Sequence, residues 1–263
     1  MIYTLPKGSY SEKAAKEFLK FLDGEYEIGY CNNIYEIFEK IDRSSLGVVP
    51  IENSIEGSVS LTLDLLLEFD VKILAEISLD IHHCLIGYDK EKIKIILSHP
   101  QALAQCRKYI KKHGWEVKAV ESTIKAVELI EDERYGAIAD RDVVKYYKHL
   151  KILDENIEDY KNNKTRFILI GYKKVKFKKE FKKYKTSIIF ELKEDKPGAL
   201  YHVLKEFAER GINLTRIESR PSKRRLGTYI FYIDYENGLE VLNSVKKHTT
   251  FIKVLGRYPV LVE

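Results

Sequence analysis

The chain has 263 residues, 44% of them hydrophobic, and a formal charge of +5, so a full core is available to about two domains. No apolar run reaches the roughly 18 residues that span a bilayer, the charge is modest, and the three scattered cysteines, Cys31, Cys84 and Cys106, form neither a disulfide framework nor a zinc spacing. Met1 leads straight into Ile2-Tyr3-Thr4-Leu5 with no basic and apolar leader, so the expected location is the reducing cytoplasm.

The first block alternates strand and helix. Residues 2–5 form a short strand and 6–9 a turn, and Ser11 caps a helix whose apolar face carries Ala14, Ala15, Phe18 and Leu19. Residues 46–51 (LGVVPI) read as a buried strand, opening into a polar loop ahead of a helix over 61–69. A serine in that loop suffices to cap the helix. A Glu52-Asn53 pair at the carboxyl end of a buried strand is a better binding candidate. Another strand begins at 71–74.

A second block places strands at 81–86, 93–97, 117–120 and 136–139, with helices through 105–111, 122–130 and 143–147. Both glutamines of the chain fall within residues 98–106, SHPQALAQC, although the rest is rich in Lys and Glu. Neutral amides at Gln101 and Gln105 therefore have a task that a charge could not perform. Ser98 and Gln101 have capping-box spacing with Pro100 in the first turn, which accounts for those three but not for Gln105. Residues 98, 101 and 105 share one helix face. A strand end, a helix N-terminus and uncharged hydrogen-bonding groups together describe an anion site. His82, His83 and Cys84 suggest a metal cluster, but strand neighbours point to opposite faces and no further ligand has helpful spacing, so no metal is expected. His99 is either an acid or base or simply exposed at a helix start.

Residues 154–164 return, polar and extended, to a strong strand over 167–172. In Asn163-Lys164-Thr165-Arg166-Phe167, Thr165 is an ordinary β-former. Arg166 stands where two lobes join and is placed to clamp a carboxylate. Two α/β blocks crossed out and back give lobes of about 1–76 with 155–173 and about 77–154, with a ligand cleft between them. The basic run 173–185 (KKVKFKKEFKKYK) carries aromatics, as single-stranded nucleic-acid contacts do. Its place between two patterned regions makes 174–185 a solvated linker instead.

Residues 186–263 change pattern. Strands at 187–192, 212–220, 227–235 and 251–255 and helices at 199–210 and 239–247 give a ferredoxin-like βαββαβ order. Gly198-Ala199-Leu200 opens a helix whose bare N–H groups attract a carboxylate. Glu218-Ser219-Arg220-Pro221 ends a strand. Helices on one sheet face leave the other face and the edges open, which favours self-association.

VPIENSIEGSV (49–59), SHPQALAQC (98–106) and NKTRF (163–167), in that order, resemble the motifs of prephenate dehydratases, and GAL (198–200) and ESRP (218–221) resemble the phenylalanine-binding motifs of the ACT domain in that family. The resemblance covers essentially the whole chain. It implies an α/β fold with a two-lobed, type II periplasmic-binding-protein-like catalytic domain over 1–173 and a ferredoxin-like ACT domain over 186–263. It also implies a lyase that converts prephenate to phenylpyruvate, water and carbon dioxide in L-phenylalanine biosynthesis, without a cofactor and under feedback inhibition by phenylalanine. The family's catalytic threonine falls on Thr165, and its substrate pocket on Glu52, Asn53, Ser54, Ser98, Gln105, Arg166 and Phe167. Phenylalanine binding falls on Gly198, Ala199, Leu200, Asn213, Leu214, Glu218, Ser219, Arg220 and Pro221. Paired ACT sheets imply a homodimer or homotetramer; neither nucleic acid nor a membrane is an expected partner. The family's N-terminal loop reads GPxGTFS, and here Leu5 replaces its first glycine and Ser9 its threonine. No helical chorismate mutase region fits the chain, which implies a monofunctional enzyme. Two rivals stand beside this reading: an arogenate dehydratase, whose substrate carries an amino group in place of the side-chain keto group, and a two-lobed solute sensor without chemistry.

Overall fold

The computed structural model describes residues 1–223, 227–236 and 238–262. Two mixed sheets organise it. The larger runs, in spatial order, Leu214–Pro221, Tyr229–Glu236, Tyr184–Leu192, Thr249–Val262, Lys72–Asp80, Lys164–Gly171, Leu46–Asn53, Ile2–Thr4 and Ile28–Tyr30, with the short Gly57–Ser58 paired to Leu46–Asn53. The smaller runs Lys151–Asp154, Cys84–Gly87, Tyr135–Ala139, Ile95–Ser98 and Glu116–Ala119. The N-terminal strands of the larger sheet floor one lobe, and the smaller sheet floors the other.

Local chemistry explains most element ends. The helix Tyr10–Phe21 is capped by Ser9, whose hydroxyl accepts the Glu12 N–H at 3.2 Å. The cap therefore lies two residues before the expected Ser11, which is buried on the first turn. Ala14, Ala15 and Phe18 pack with Ile2, Val48 and Leu169 beneath that helix. Sequence periodicity did not expose the strand Ile28–Tyr30 or the helix Ile34–Lys40, because both are short. The latter is capped by Asn33, which accepts the Glu36 N–H at 2.9 Å. The expected single helix after residue 100 is two, Pro100–Gln105 and Arg107–His113, broken at Cys106.

The C-terminal domain has the ferredoxin-like order, all pairs antiparallel. Its strands are apolar on both faces. Ile188 and Phe190 pack under Val203 and Phe207 of the helix Ala199–Ala208, while Ile189, Tyr232 and Tyr258 join Leu63, Leu66 and Ile168 of the N-terminal part. The sheet face expected to be open is thus covered within the chain. One sheet edge is also taken. The last strand, predicted over five residues, extends to Val262 and pairs in parallel with Lys72–Asp80, making one continuous sheet of the two domains. Gly256 permits this approach, since a Cβ there would lie 2.3 Å from the Ile73 carbonyl oxygen.

The basic segment is not free in solvent along its length. Phe177 bridges Leu22, Phe181 meets Phe21 edge-on at 5.8 Å between ring centroids, and Val175 packs against the core under the first helix. The lysines up to Lys183 stay outward while the aromatics dock, whereas Lys185 turns inward and donates to Glu76 at 2.6 Å. Among the described residues no helix is long and apolar enough to cross a membrane.

Candidate active site

The two chain crossings between lobes lie side by side: Lys164 pairs with Asp80, and the Ile81 N–H donates to the Asn163 carbonyl at 2.7 Å. Beside them opens a cleft of about 500 Å³ lined from both lobes. Ser9, Asn33, His99 and Ser122, the N-caps of Tyr10–Phe21, Ile34–Lys40, Pro100–Gln105 and Thr123–Glu128, all line it, as does Val59 ahead of Ser60–Glu68. Each helix N-terminus leaves N–H groups unpaired and carries up to roughly half a positive charge. Among the described residues no lysine or arginine lines the cleft, and Glu121 is its one carboxylate. An anion there is held by helix ends and neutral side chains.

The cleft's polar centre is a chain of amides with a fixed sense. Backbone N–H groups of Ile55 and Glu56 both donate to Asn53 Oδ1 at 3.0 Å. Asn53 Nδ2 then faces Thr165 Oγ1 at 2.9 Å and Asn163 Oδ1 at 2.7 Å. Since Thr165 accepts from Asn53, its own proton is left for a group in the cleft, which Thr165 and Phe167 line. Asn163, fully buried, passes the sense on, its Nδ2 donating to Gln105 Oε1 at 2.8 Å. His83 Nε2 meets the same oxygen at 2.8 Å. Gln105 lines the cleft, and its amide nitrogen has no protein acceptor among the described residues. The structure therefore brings Asn53, Gln105, Thr165 and Phe167 together.

Four other expected pocket residues are elsewhere. A strand alternates its faces, so Arg166 turns to the back of the sheet that Thr165 fronts. There it donates to Glu52 at 2.5 Å, Glu76 at 2.6 Å and Asp234 of the C-terminal domain at 2.9 Å. Burial opposes these charges, but Asp234 and Glu76 raise the Arg166 pKa further, and Arg166 with Arg216 holds the Asp234 carboxyl below its ordinary range. Glu52 and Arg166 thus join domains, where a substrate clamp had been expected. Ser98 ends a strand, buried, and its hydroxyl donates to the Ile138 carbonyl at 2.6 Å. Sheet pairing with Ala119 keeps it out of the helix. The cap is His99, whose Nδ1 accepts the Gln101 N–H at 3.2 Å, so the expected capping box does not form. Ser54 is exposed and ties its loop to the crossing, donating to the Asn162 carbonyl at 3.1 Å and accepting the Lys164 N–H at 2.9 Å.

In the C-terminal domain, Gly198 has the left-handed φ of 85° that starts Ala199–Ala208. Glu218 and Arg220 turn inward: Glu218 binds Ser58 and Arg216, and Arg220 reaches Asp64 at 3.0 Å and Ser60 at 2.8 Å. Ser219 and Pro221 are exposed. Pro221 pairs with Tyr229 near the sheet end where Leu192 leads to Gly198, whereas Leu214 pairs with Tyr235 at the other end. One chain alone does not bring Asn213 and Leu214 to the Gly198 end.

Asn163, His83 and Tyr10 were not expected in the site. Asn163 lies inside the NKTRF motif, and that was its signal; His83 was weighed only as a metal ligand. The Tyr10 hydroxyl accepts the His82 N–H at 2.7 Å and donates to the His82 carbonyl at 2.5 Å, joining the lobes across the cleft, with Lys13 and Asp140 paired at 3.3 Å nearby.

A family model described as prephenate dehydratase matches residues 2–175, and one described as ACT domain matches residues 186–247. The chain is 71% identical to a prephenate dehydratase of Methanocaldococcus jannaschii, covering 99% of this chain and 98% of the relative. It is 44% identical to a bifunctional chorismate mutase/prephenate dehydratase of Aquifex aeolicus, covering 98% of this chain and 72% of that one. The crystal structure of prephenate dehydratase from Arthrobacter aurescens in complex with L-Phe superposes with a TM-score of 0.85 at 30% identity, covering 98% of this chain and 89% of the other. Matched over both parts and nearly its full length, the chain belongs to the prephenate dehydratase family, as a hydro-lyase that also decarboxylates and carries an ACT domain.

Proposed function

We propose that Thr165 is the catalytic donor and that prephenate lies in the cleft with its carboxylates toward the helix N-termini, Gln105 and Asn53. The ring carboxylate leaves as carbon dioxide, its bonding electrons pass through the ring diene, and the ring hydroxyl departs as water once it gains a proton. Aromatisation drives the step, so the protein need only hold a dianion and stabilise the departing oxygen. One observation carries the reading: Thr165 Oγ1 accepts from Asn53 at 2.9 Å and so presents its proton to the cleft. An alcohol is a weak acid near neutrality, so Thr165 acts as a hydrogen-bond donor and the proton that completes water comes from solvent. Burial pushes the His99 pKa below its ordinary value, leaving it neutral at pH 7. A flat pH–rate profile between pH 7 and 8 is expected. Thr165→Val should lower kcat by about 100-fold or more with little change in KM; turnover near wild type would remove Thr165 from the chemistry. Comparing kcat/KM for prephenate and arogenate tests the substrate.

The domain limits that suit this reading are 1–173 for catalysis and 186–263 for regulation, joined by 174–185. L-phenylalanine, present in the Arthrobacter aurescens complex, is the proposed ligand of the ACT domain. Among the described residues the strand Leu214–Pro221 has one unpaired edge, with Ile217 at its middle 46% exposed. A second copy pairing antiparallel about Ile217 sets its Asn213 opposite Pro221 and its Leu214 opposite Arg220 of the first, completing a site that one chain leaves divided. Phenylalanine bound between two copies then shifts an equilibrium between states of the cleft. Gly198→Trp should abolish phenylalanine binding in calorimetry while turnover persists. Undiminished binding, or a monomer in solution at saturating phenylalanine, would sink this part.

A further inference from the structure

We propose that His83 is a positioning residue for the dehydration, locking the Gln105 carboxamide with its nitrogen toward the cleft. The proposal rests on the reading that Gln105 donates to the substrate. A carboxamide is nearly symmetric in shape, and turned over it would offer an oxygen to a dianion. Its sense must therefore be fixed by groups that can only donate.

Two lines of contact fix it. From the first lobe, the backbone N–H groups of Ile55 and Glu56 cannot accept, so they set Asn53, which sets Asn163, which donates to Gln105 Oε1. From the second lobe, His83 Nε2 reaches the same oxygen at 2.8 Å. His83 Nδ1 is buried with no partner among the described residues, so the ring carries one proton, on Nε2, where it has an acceptor. Burial also pushes the His83 pKa down, outweighing the pull of Glu158 and Asp140, which keeps the imidazole neutral. Glu158 holds the residue itself, accepting the His83 N–H at 2.9 Å while its other oxygen meets His82 Nδ1 at 2.8 Å. His83 thus acts through Gln105.

The test is a double-mutant cycle on kcat/KM with Gln105→Leu and His83→Leu. His83→Leu is expected to lose about 10-fold or more, roughly the worth of one buried hydrogen bond. His83→Gln, whose amide can donate from a similar point, recovers most of that loss. In the Gln105→Leu background, His83→Leu should change kcat/KM by less than about twofold, since a residue acting through Gln105 has nothing left to position. A damaged Gln105→Leu beside an undamaged His83→Leu, or losses that multiply independently, overturns the proposal alone. Wild-type kinetics for Gln105→Leu overturn the substrate-contact reading and the proposal with it. Nitrogen-15 shifts of the imidazole in the unaltered protein give a readout that needs no variant to fold. An Nε2–H tautomer at pH 7 is expected, and an Nδ1–H tautomer or an imidazolium overturns the proposal.

Discussion

Thr165 and Arg166 are neighbours in sequence that share no side-chain partner. Thr165 faces the cleft through Asn53, and Arg166 faces the ACT domain through Asp234. The two-residue period of a strand is the whole reason. His83 carries a second residue-scale consequence. Its pKa is lowered from 6.5 by burial, so the unfolded chain takes up that proton at higher pH than the folded one. The stability gained by keeping it neutral is complete above pH 6.5 and is lost as pH falls toward the folded value. The unfolding free energy should therefore fall more steeply between pH 7 and 5 in the wild type than in His83→Gln. Equal slopes in urea titrations at matched pH would refute it.

At the scale of elements, the helix Ser60–Glu68 connects the two halves. Val59 and Leu61 at its start line the cleft. The ACT domain grips it at both ends. Arg220 and Lys223 bind Asp64 and Tyr232 donates to the Leu63 carbonyl, while Lys253 Nζ reaches the Leu66, Leu67 and Phe69 carbonyls at 2.9, 3.1 and 2.6 Å. A cation on the last carbonyls of a helix also suits its dipole. Two residues that the resemblance assigned to phenylalanine, Glu218 and Arg220, thereby become contacts to the catalytic side. Lys253→Met should cost roughly 1.5–3 kcal/mol, the range for hydrogen bonds to a charged group, and raise KM by loosening the cleft helix. Unchanged denaturant midpoint and KM would mean that the grip carries no load.

At the scale of the molecule, the two domains share a sheet and a buried cluster of charge. Asp234 and Glu76 are both buried against Arg166, and Ser187 donates to Asp234 at 2.5 Å. Removing one partner of such a group leaves the rest uncompensated. Asp234→Ala should destabilise the whole chain by on the order of 3–5 kcal/mol, measured by urea unfolding. Truncation after Lys173 strips Lys72–Asp80 of its parallel neighbour and bares Arg166 and Glu76. The catalytic part alone should therefore lose cooperative unfolding. A shortened chain with wild-type stability would show that the shared sheet is incidental.

Local signals in the sequence determined most of the order of strands and helices, with the short Ile28–Tyr30 and Ile34–Lys40 excepted, the change of pattern after residue 185, and the segments around Asn53 and Gln105. These follow from periodicity, caps and an unusual restriction of glutamine, each of which acts within a few residues, whereas the role of Thr165 came from the resemblance carried by NKTRF. Chain-local reasoning could not say which face of a strand would front the cleft, and the fold turns Glu52 and Arg166 to the opposite face. Nor could it see that Ile189 and Tyr232 would bury the sheet face that looked open, because an apolar run fits a strand covered on one side or on both. Asn163 and His83 acquire meaning only when the two crossings between lobes come together and set both against one oxygen of Gln105. That meeting joins residues 22 and 58 positions away from Gln105, and only tertiary structure decides contacts at such separations.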